Sequence, residues 1–128
     1  MDKNMRILIV ENSYTMRTIL KRTLGDLGFT NVSEAENGTA TLSRLGSESF
    51  DFLIAVDPLR DMFGADLLLK LRADERLKKL PALMVLAEPK QSLIGEDLIA
   101  GANDYVIKPV SATELQEKIE KIFNSSKT

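Results

Sequence analysis

The sequence predicts one α/β domain, a doubly wound, five-stranded parallel sheet with helices on both faces. Three observations carry the prediction. Short apolar runs of strand type recur five times in 128 residues and alternate with segments of helical period. The central runs are apolar throughout rather than at every second residue, the pattern of strands covered on both faces. Four runs also end in a residue suited to phosphate or metal chemistry: Ile7 to Val10 before Glu11-Asn12, Phe52 to Val56 before Asp57, Leu83 to Ala87 before Glu88, and Tyr105 to Ile107 before Lys108-Pro109. Parallel strands bring those ends to one edge, where open α/β sheets hold their ligands.

Residues 5 to 10 read as the first strand. From Tyr14, Met16, Ile19, Leu20, Leu24 and Leu27 recur at helical spacing with Arg17, Lys21 and Arg22 on the other face, and Gly28 stands where the helix should stop. Val32 to Ala35 is a short second strand. Glu36-Asn37-Gly38 turns into a helix carrying Ala40, Leu42 and Leu45 and closed by Gly46. Phe50 to Val56 restores strand character, and Gly64 precedes a helix with Leu67, Leu68 and Leu71 inward. The charged stretch from Arg72 to Lys79 reads as its frayed end and a solvated loop. After Pro81, Leu83 to Ala87 is the fourth strand. Gln91 to Ala100 then carries Leu93, Ile94, Leu98 and Ile99 at helical spacing and stops at Gly101, with Gly95 weakening it by about 1 kcal/mol. Tyr105 to Ile107 is the last strand. Ser111 and Glu114 form a capping box for a final helix with Leu115, Ile119, Ile122 and Phe123 inward and a tail from Asn124 to Thr128. Five βα units of this size favour the flavodoxin-like strand order 2-1-3-4-5 in a three-layer sandwich, with right-handed crossovers. One domain spans 1–128 with its core at about 5–124.

Composition narrows the chemistry. The chain has no cysteine and no histidine, which removes disulfides, thiol nucleophiles, histidine bases and the usual zinc ligand sets. A net charge of -2 gives no electrostatic case for nucleic acid or an anionic membrane. Met1-Asp2-Lys3-Asn4 leads into an apolar run far too short for a secretory segment or a membrane span, so a cytoplasmic location is expected.

The core Glu11-Asn12-Ser13-Tyr14-Thr15-Met16-Arg17, then Gly28-Phe29, Ala35-Glu36-Asn37-Gly38 and the run Gly101-Ala102-Asn103-Asp104-Tyr105-Val106-Ile107-Lys108-Pro109, resembles response regulator receivers over nearly the whole chain. It is most similar to single-domain chemotaxis regulators, in ending after the fifth helix and in Phe29 to Val32 and Met84-Val85. The resemblance implies an acidic pair after strand one that binds magnesium, an aspartate ending strand three that accepts phosphate from a histidine kinase, and a lysine after strand five that contacts the phosphoryl group. A strand-four hydroxyl and a strand-five aromatic relay the signal, and the lysine-proline bond is usually cis. Glu11 and Asn12 match the acidic pair, Tyr105 the aromatic and Lys108 the lysine.

The other positions depart from that pattern. Counting forward from Phe50-Asp51 and back from Gly64 selects Val56 as the phosphoacceptor position, and Leu86 stands in place of the hydroxyl. Asp57 is the alternative acceptor, but one residue along a strand reverses side-chain direction, so Asp57 is expected to leave the pocket and form a turn with Pro58. Asn12 offers magnesium an amide oxygen instead of a carboxylate, and Glu11 alone would hold it weakly. The loop Leu59-Arg60-Asp61-Met62-Phe63-Gly64 has lost the family's Met-Pro-x-Met-Asp-Gly pattern.

Each residue also has a plainer role. Glu11 and Asn12 suit a helix N-terminus, and Lys108 suits a counter-charge to Glu11. Tyr105 suits ordinary edge packing, or a partner face with Leu98, Lys118 and Ile122. Three functions remain in view. The first is a receiver-like interaction module of two-component or chemotaxis signalling that is not an enzyme and carries no cofactor. Its partners would be proteins such as a histidine kinase or a motor switch component, and it would be a monomer or weak dimer. The second is a phosphorylated regulator using Asp57 and magnesium. The third is a flavodoxin-type cofactor protein, disfavoured because the loop after strand one lacks glycine and begins with an acid.

Overall fold

A computed structural model describes residues 2–125. The element order is β1 (Ile7–Val10), α1 (Tyr14–Asp26), β2 (Val32–Ala35), α2 (Gly38–Ser47), β3 (Phe52–Asp57), α3 (Gly64–Ala73), β4 (Ala82–Leu86), α4 (Gln91–Ala100), β5 (Asp104–Ile107) and α5 (Ala112–Ser125). The five strands pair in the order β2-β1-β3-β4-β5, every pair parallel. The expected doubly wound α/β sandwich is therefore the observed fold. Strands β1, β3 and β4 are buried along their whole lengths, because helices cover both faces of the sheet centre.

The faces of β3 separate cleanly. Phe52 points toward α5, where its ring meets Phe123 edge-on with centroids 5.1 Å apart. Phe52, Ile54 and Val56 thus share the α1/α5 side, while Leu53, Ala55 and Asp57 look toward α3 and α4. The strand also runs one residue further than expected: Asp57 is its last member, in register with Leu86, rather than a turn former outside the sheet. The bonds Asp57–Pro58 and Lys108–Pro109 are both cis.

Several helix details differ from the expectations. On α1 only Leu24 is buried, Met16 and Ile19 are exposed, and Arg17 turns inward instead of outward. Polar contacts rotate the helix: Arg17 donates to Glu34 at 3.0 Å and to the Glu11 carbonyl at 2.7 Å. Gly46 lies inside α2, which closes at Glu48. The stretch after α3 is no frayed end. Arg72 donates to the carbonyls of Gly101 at 2.8 Å and Leu80 at 2.7 Å, and to those of Leu77 and Lys78, tying α3 to the β4 entry and to the end of α4. Gly101, at φ 117°, ends α4 in the left-handed conformation that glycine adopts without strain. Ser111 accepts from the Glu114 N–H at 3.1 Å, one half of the expected box. The helix α5 takes in residues 124 and 125 of the expected tail, and 126–128 lie outside the described residues.

Candidate functional site

The carboxyl ends of β1, β3 and β5 converge on a cavity of about 250 Å³ between α1 and the β5–α5 connection. Glu11, Val56, Val85 and Lys108 line it with Leu20, Pro109 and Val110. Glu11 follows β1 immediately, and its carboxylate is nearly enclosed. Lys108 Nζ donates to Glu11 Oε1 at 2.8 Å, with side-chain exposures of 25% for the lysine and 5% for the glutamate. Among the described residues Glu11 Oε2 receives only the distant N–H of Ser13, at 3.4 Å. The two charges answer one another across 97 residues of chain, because the enclosed Glu11 carboxylate keeps too little water to stand alone.

Val56 and Val85 are register partners on β3 and β4 and form the apolar part of the cavity next to this ion pair. The residues that follow them, Asp57 and Leu86, are likewise partners and point to the opposite face. Leu86 is fully buried and does not line the cavity; Val85 takes that place. Asp57 is also fully buried, accepts from the Gly64 N–H at 2.8 Å and lies beside Asp97 of α4. The β3–α3 loop thereby closes on itself.

Asn12 parts from Glu11. Its Oδ1 accepts from the Arg60 N–H at 2.9 Å, which fastens the β1–α1 loop to the β3–α3 loop. Ser13 rather than Asn12 caps α1, accepting from the Met16 N–H at 3.2 Å. Asp61 reaches the start of α2, where it accepts from the N–H groups of Gly38 at 2.8 Å and Thr39 at 2.9 Å. The Gly38 N–H, then the Thr39 hydroxyl and N–H, hold the Asp61 carboxyl below its usual range. No local sequence signal marked that contact, since it joins residues 22 and 23 positions apart.

The proposed partner face separates into exposed and buried members. Leu98 is exposed and its neighbour Ile99 is 90% exposed, while Tyr105 is half-buried. Lys118 Nζ lies 5.4 Å from the Tyr105 ring centroid and donates to Asp104 at 3.0 Å. Burial pushes the Asp104 carboxyl up, but the Tyr105 N–H and Lys118 outweigh it and the net shift is downward. Ile122 corrects the expectation: it is 7% exposed and packs in the core, so it offers a partner nothing.

Residues 7–120 match the response regulator receiver domain. The chain belongs to the response regulator receiver family. The receiver is 56% identical over 119 residues to chemotaxis protein CheY of Pseudomonas aeruginosa PAO1, a match covering 93% of this chain and 96% of that protein. Chemotaxis protein CheY-3 of Vibrio cholerae is 48% identical over 123 residues, covering 96% and 95%. Among solved structures, a CheY-like receiver domain protein from Methanospirillum hungatei JF-1 superposes with a TM-score of 0.85 at 30% identity, covering 97% of this chain and 98% of that one. The receiver domain of a sensor histidine kinase from Pseudomonas aeruginosa PAO1, solved with magnesium coordinated in its active site cleft, gives a TM-score of 0.85 at 25% identity, with coverage of 94% and 98%. In this receiver the carboxyl edge of the sheet carries Glu11, Val56 and Lys108 around one cavity, with Asp57 on the opposite face of β3.

Proposed function

We propose that this receiver is a signalling module of the chemotaxis or two-component type that works by binding other proteins and does not pass through an aspartyl phosphate. The receiver family supports the signalling role, and the single observation that carries the finer reading is the orientation of β3. Val56 lines the cavity beside Lys108 and Glu11, while Asp57 is enclosed on the other face against Gly64 and Asp97. Aspartyl phosphorylation needs a carboxylate nucleophile in reach of the donor, and an isopropyl group supplies none.

The donors present do not fit magnesium. A hard cation takes one or more free carboxylates, whereas the Glu11 carboxylate is paired with Lys108 and the Asn12 oxygen is held by Arg60. Among the described residues no three acidic side chains group around a common point that could hold a metal ion. Lys108 serves as the structural counter-charge of Glu11. The module is not an enzyme, uses no cofactor, and acts in the cytoplasm as a monomer or weak dimer. Its partners are proteins, a histidine kinase or a motor switch component among them, and not nucleic acid. No helix among the described residues is long and apolar enough to cross a membrane. Leu98, Ile99 and Tyr105 are the side chains a partner would meet on the α4–β5 face.

Incubation with an acyl phosphate and magnesium, followed by intact mass spectrometry, tests the reading. Unmodified protein is the expected result. A hydroxylamine-labile adduct with the mass of one phosphoryl group, lost in Asp57→Asn, would overturn it in favour of Asp57 as acceptor.

A further inference from the structure

Behind the cavity lies a feature the signalling role does not use. Asp57 at the end of β3 and Asp97 in the middle of α4 are both 0% exposed. Asp57 Oδ1 has the Gly64 N–H, but Asp57 Oδ2 and both oxygens of Asp97 have no donor among the described residues. The two carboxyls nevertheless lie side by side. Two carboxylates have no donor between them, so a hydrogen bond across the pair requires one of them to carry a proton.

We propose that Asp57 and Asp97 form a buried binding site for a single proton, which ties the end of β3 to helix α4 and whose loss loosens that helix. Asp97 carries the proton and donates it to Asp57, whose other oxygen is already fixed by Gly64. Among the described residues no cation pairs with either carboxyl, and the nearby lysine, Lys90, is paired with Glu88. On α4 itself the nearest charge is Glu96, also acidic. From α3, Arg72 directs its guanidinium to the Gly101 carbonyl at the far end of α4. At the β4–α4 connection, Glu88 and Lys90 face each other at 3.8 Å. On the Gly64 side the packing is tight, since a Cβ placed there would come within 2.7 Å of Asp57 Oδ2, whereas on the other side Asp57 borders a cavity of about 190 Å³ that Glu88, Lys90 and Glu96 also line.

Burial first, then the hydrogen bond to Asp57 and its charge, push the Asp97 carboxyl up to about 8. In the unfolded chain the same group titrates near the ordinary aspartate value of about 4. A raised acid is protonated in the fold and ionised in the unfolded chain between those values, so unfolding releases a proton there. Stability is fully present below about pH 4, falls as pH rises, and reaches its lower plateau above about pH 8. The helix that loosens is the one presenting Leu98 and Ile99. Proton occupancy at this pair is thus linked to how firmly the α4 face is held for a partner.

Melting temperature against pH, for the parent, Asp97→Asn and Asp57→Asn, tests the proposal. An asparagine at either position keeps a hydrogen bond to its neighbour without a second charge. Relative to the parent, Asp97→Asn should gain a few °C per pH unit from about pH 5 to about pH 8 and level off above that, and Asp57→Asn should gain less, because Asp97 stays buried and still titrates. A difference independent of pH would overturn the proposal. Infrared spectroscopy reads the proton without reference to stability: the parent should show a protonated-carboxyl C=O band at about pH 6, where exposed acids are ionised, and Asp97→Asn should lack it. Absence of that band from the parent, or its loss on adding magnesium or sodium at constant ionic strength, would also overturn the proposal, the latter by assigning the pair to a cation.

Discussion

Removing the two halves of the Glu11–Lys108 pair should cost unequal amounts, and the inequality reports how the cavity is built. At 2.8 Å and an effective dielectric constant near 20, the gross attraction is about 6 kcal/mol, most of it cancelled by the desolvation of both groups. Lys108→Met leaves a carboxylate with 5% side-chain exposure and only the 3.4 Å N–H of Ser13. Losing one partner of a fully buried pair costs about 3–5 kcal/mol; the solvent that reaches Lys108 weakens the pair and reduces this to about 2–3 kcal/mol. Glu11→Gln leaves a lysine that is 25% exposed and able to turn its ammonium to water, a loss of about 1 kcal/mol. The double variant has no orphaned charge and should cost about as much as Glu11→Gln, giving a coupling of about 2–3 kcal/mol. Urea denaturation with linear extrapolation on the four proteins measures all of these values. Equal losses in the two single variants, or additive losses in the double, would refute the asymmetry and with it the structural role assigned to Lys108.

Arg72→Ala should cost about 2–4 kcal/mol by releasing the carbonyls of Leu80 and Gly101, and Arg72→Lys should recover less than half, since an ammonium lacks the planar fork; denaturation midpoints give both values. Gly64→Ala should cost about 1–3 kcal/mol, because the added methyl meets Met84 Cε at 2.6 Å and Asp57 Oδ2 at 2.7 Å, and the Asp57 oxygen cannot move without losing its contacts; thermal melts read the loss. Combining Val56→Asp with Asn12→Asp adds two carboxylates near Glu11. Magnesium at about ten times its dissociation constant should then stabilise the double variant by about 1.4 kcal/mol and leave the parent melting temperature unchanged. An equal rise in the parent would show a metal site that the present side chains do not explain.

The sequence by itself determined the strand and helix order, because a strand covered on both faces must be apolar throughout and a helix beside it must repeat near every 3.6 residues. The bounds of α4 were legible to the residue, since Gly101 supplies a left-handed stop that few other residues tolerate. The direction of Val56 relative to Asp57 followed from the alternation of strand side chains, which is a local property. What periodicity left undecided was decided by contacts between residues distant in sequence. Arg17 turned inward and left Met16 and Ile19 outside because Glu34 and the Glu11 carbonyl were waiting for it. Arg72 became a clamp because the fold delivered four carbonyls to it. Asp97 gave no sign in an otherwise ordinary helix that it faces Asp57, forty residues earlier, since a buried acid is recognised only by the group opposite it. Periodicity records which side of an element is apolar; which polar groups meet across the core is set when the chain closes, and charge and hydrogen-bond energies depend on that meeting.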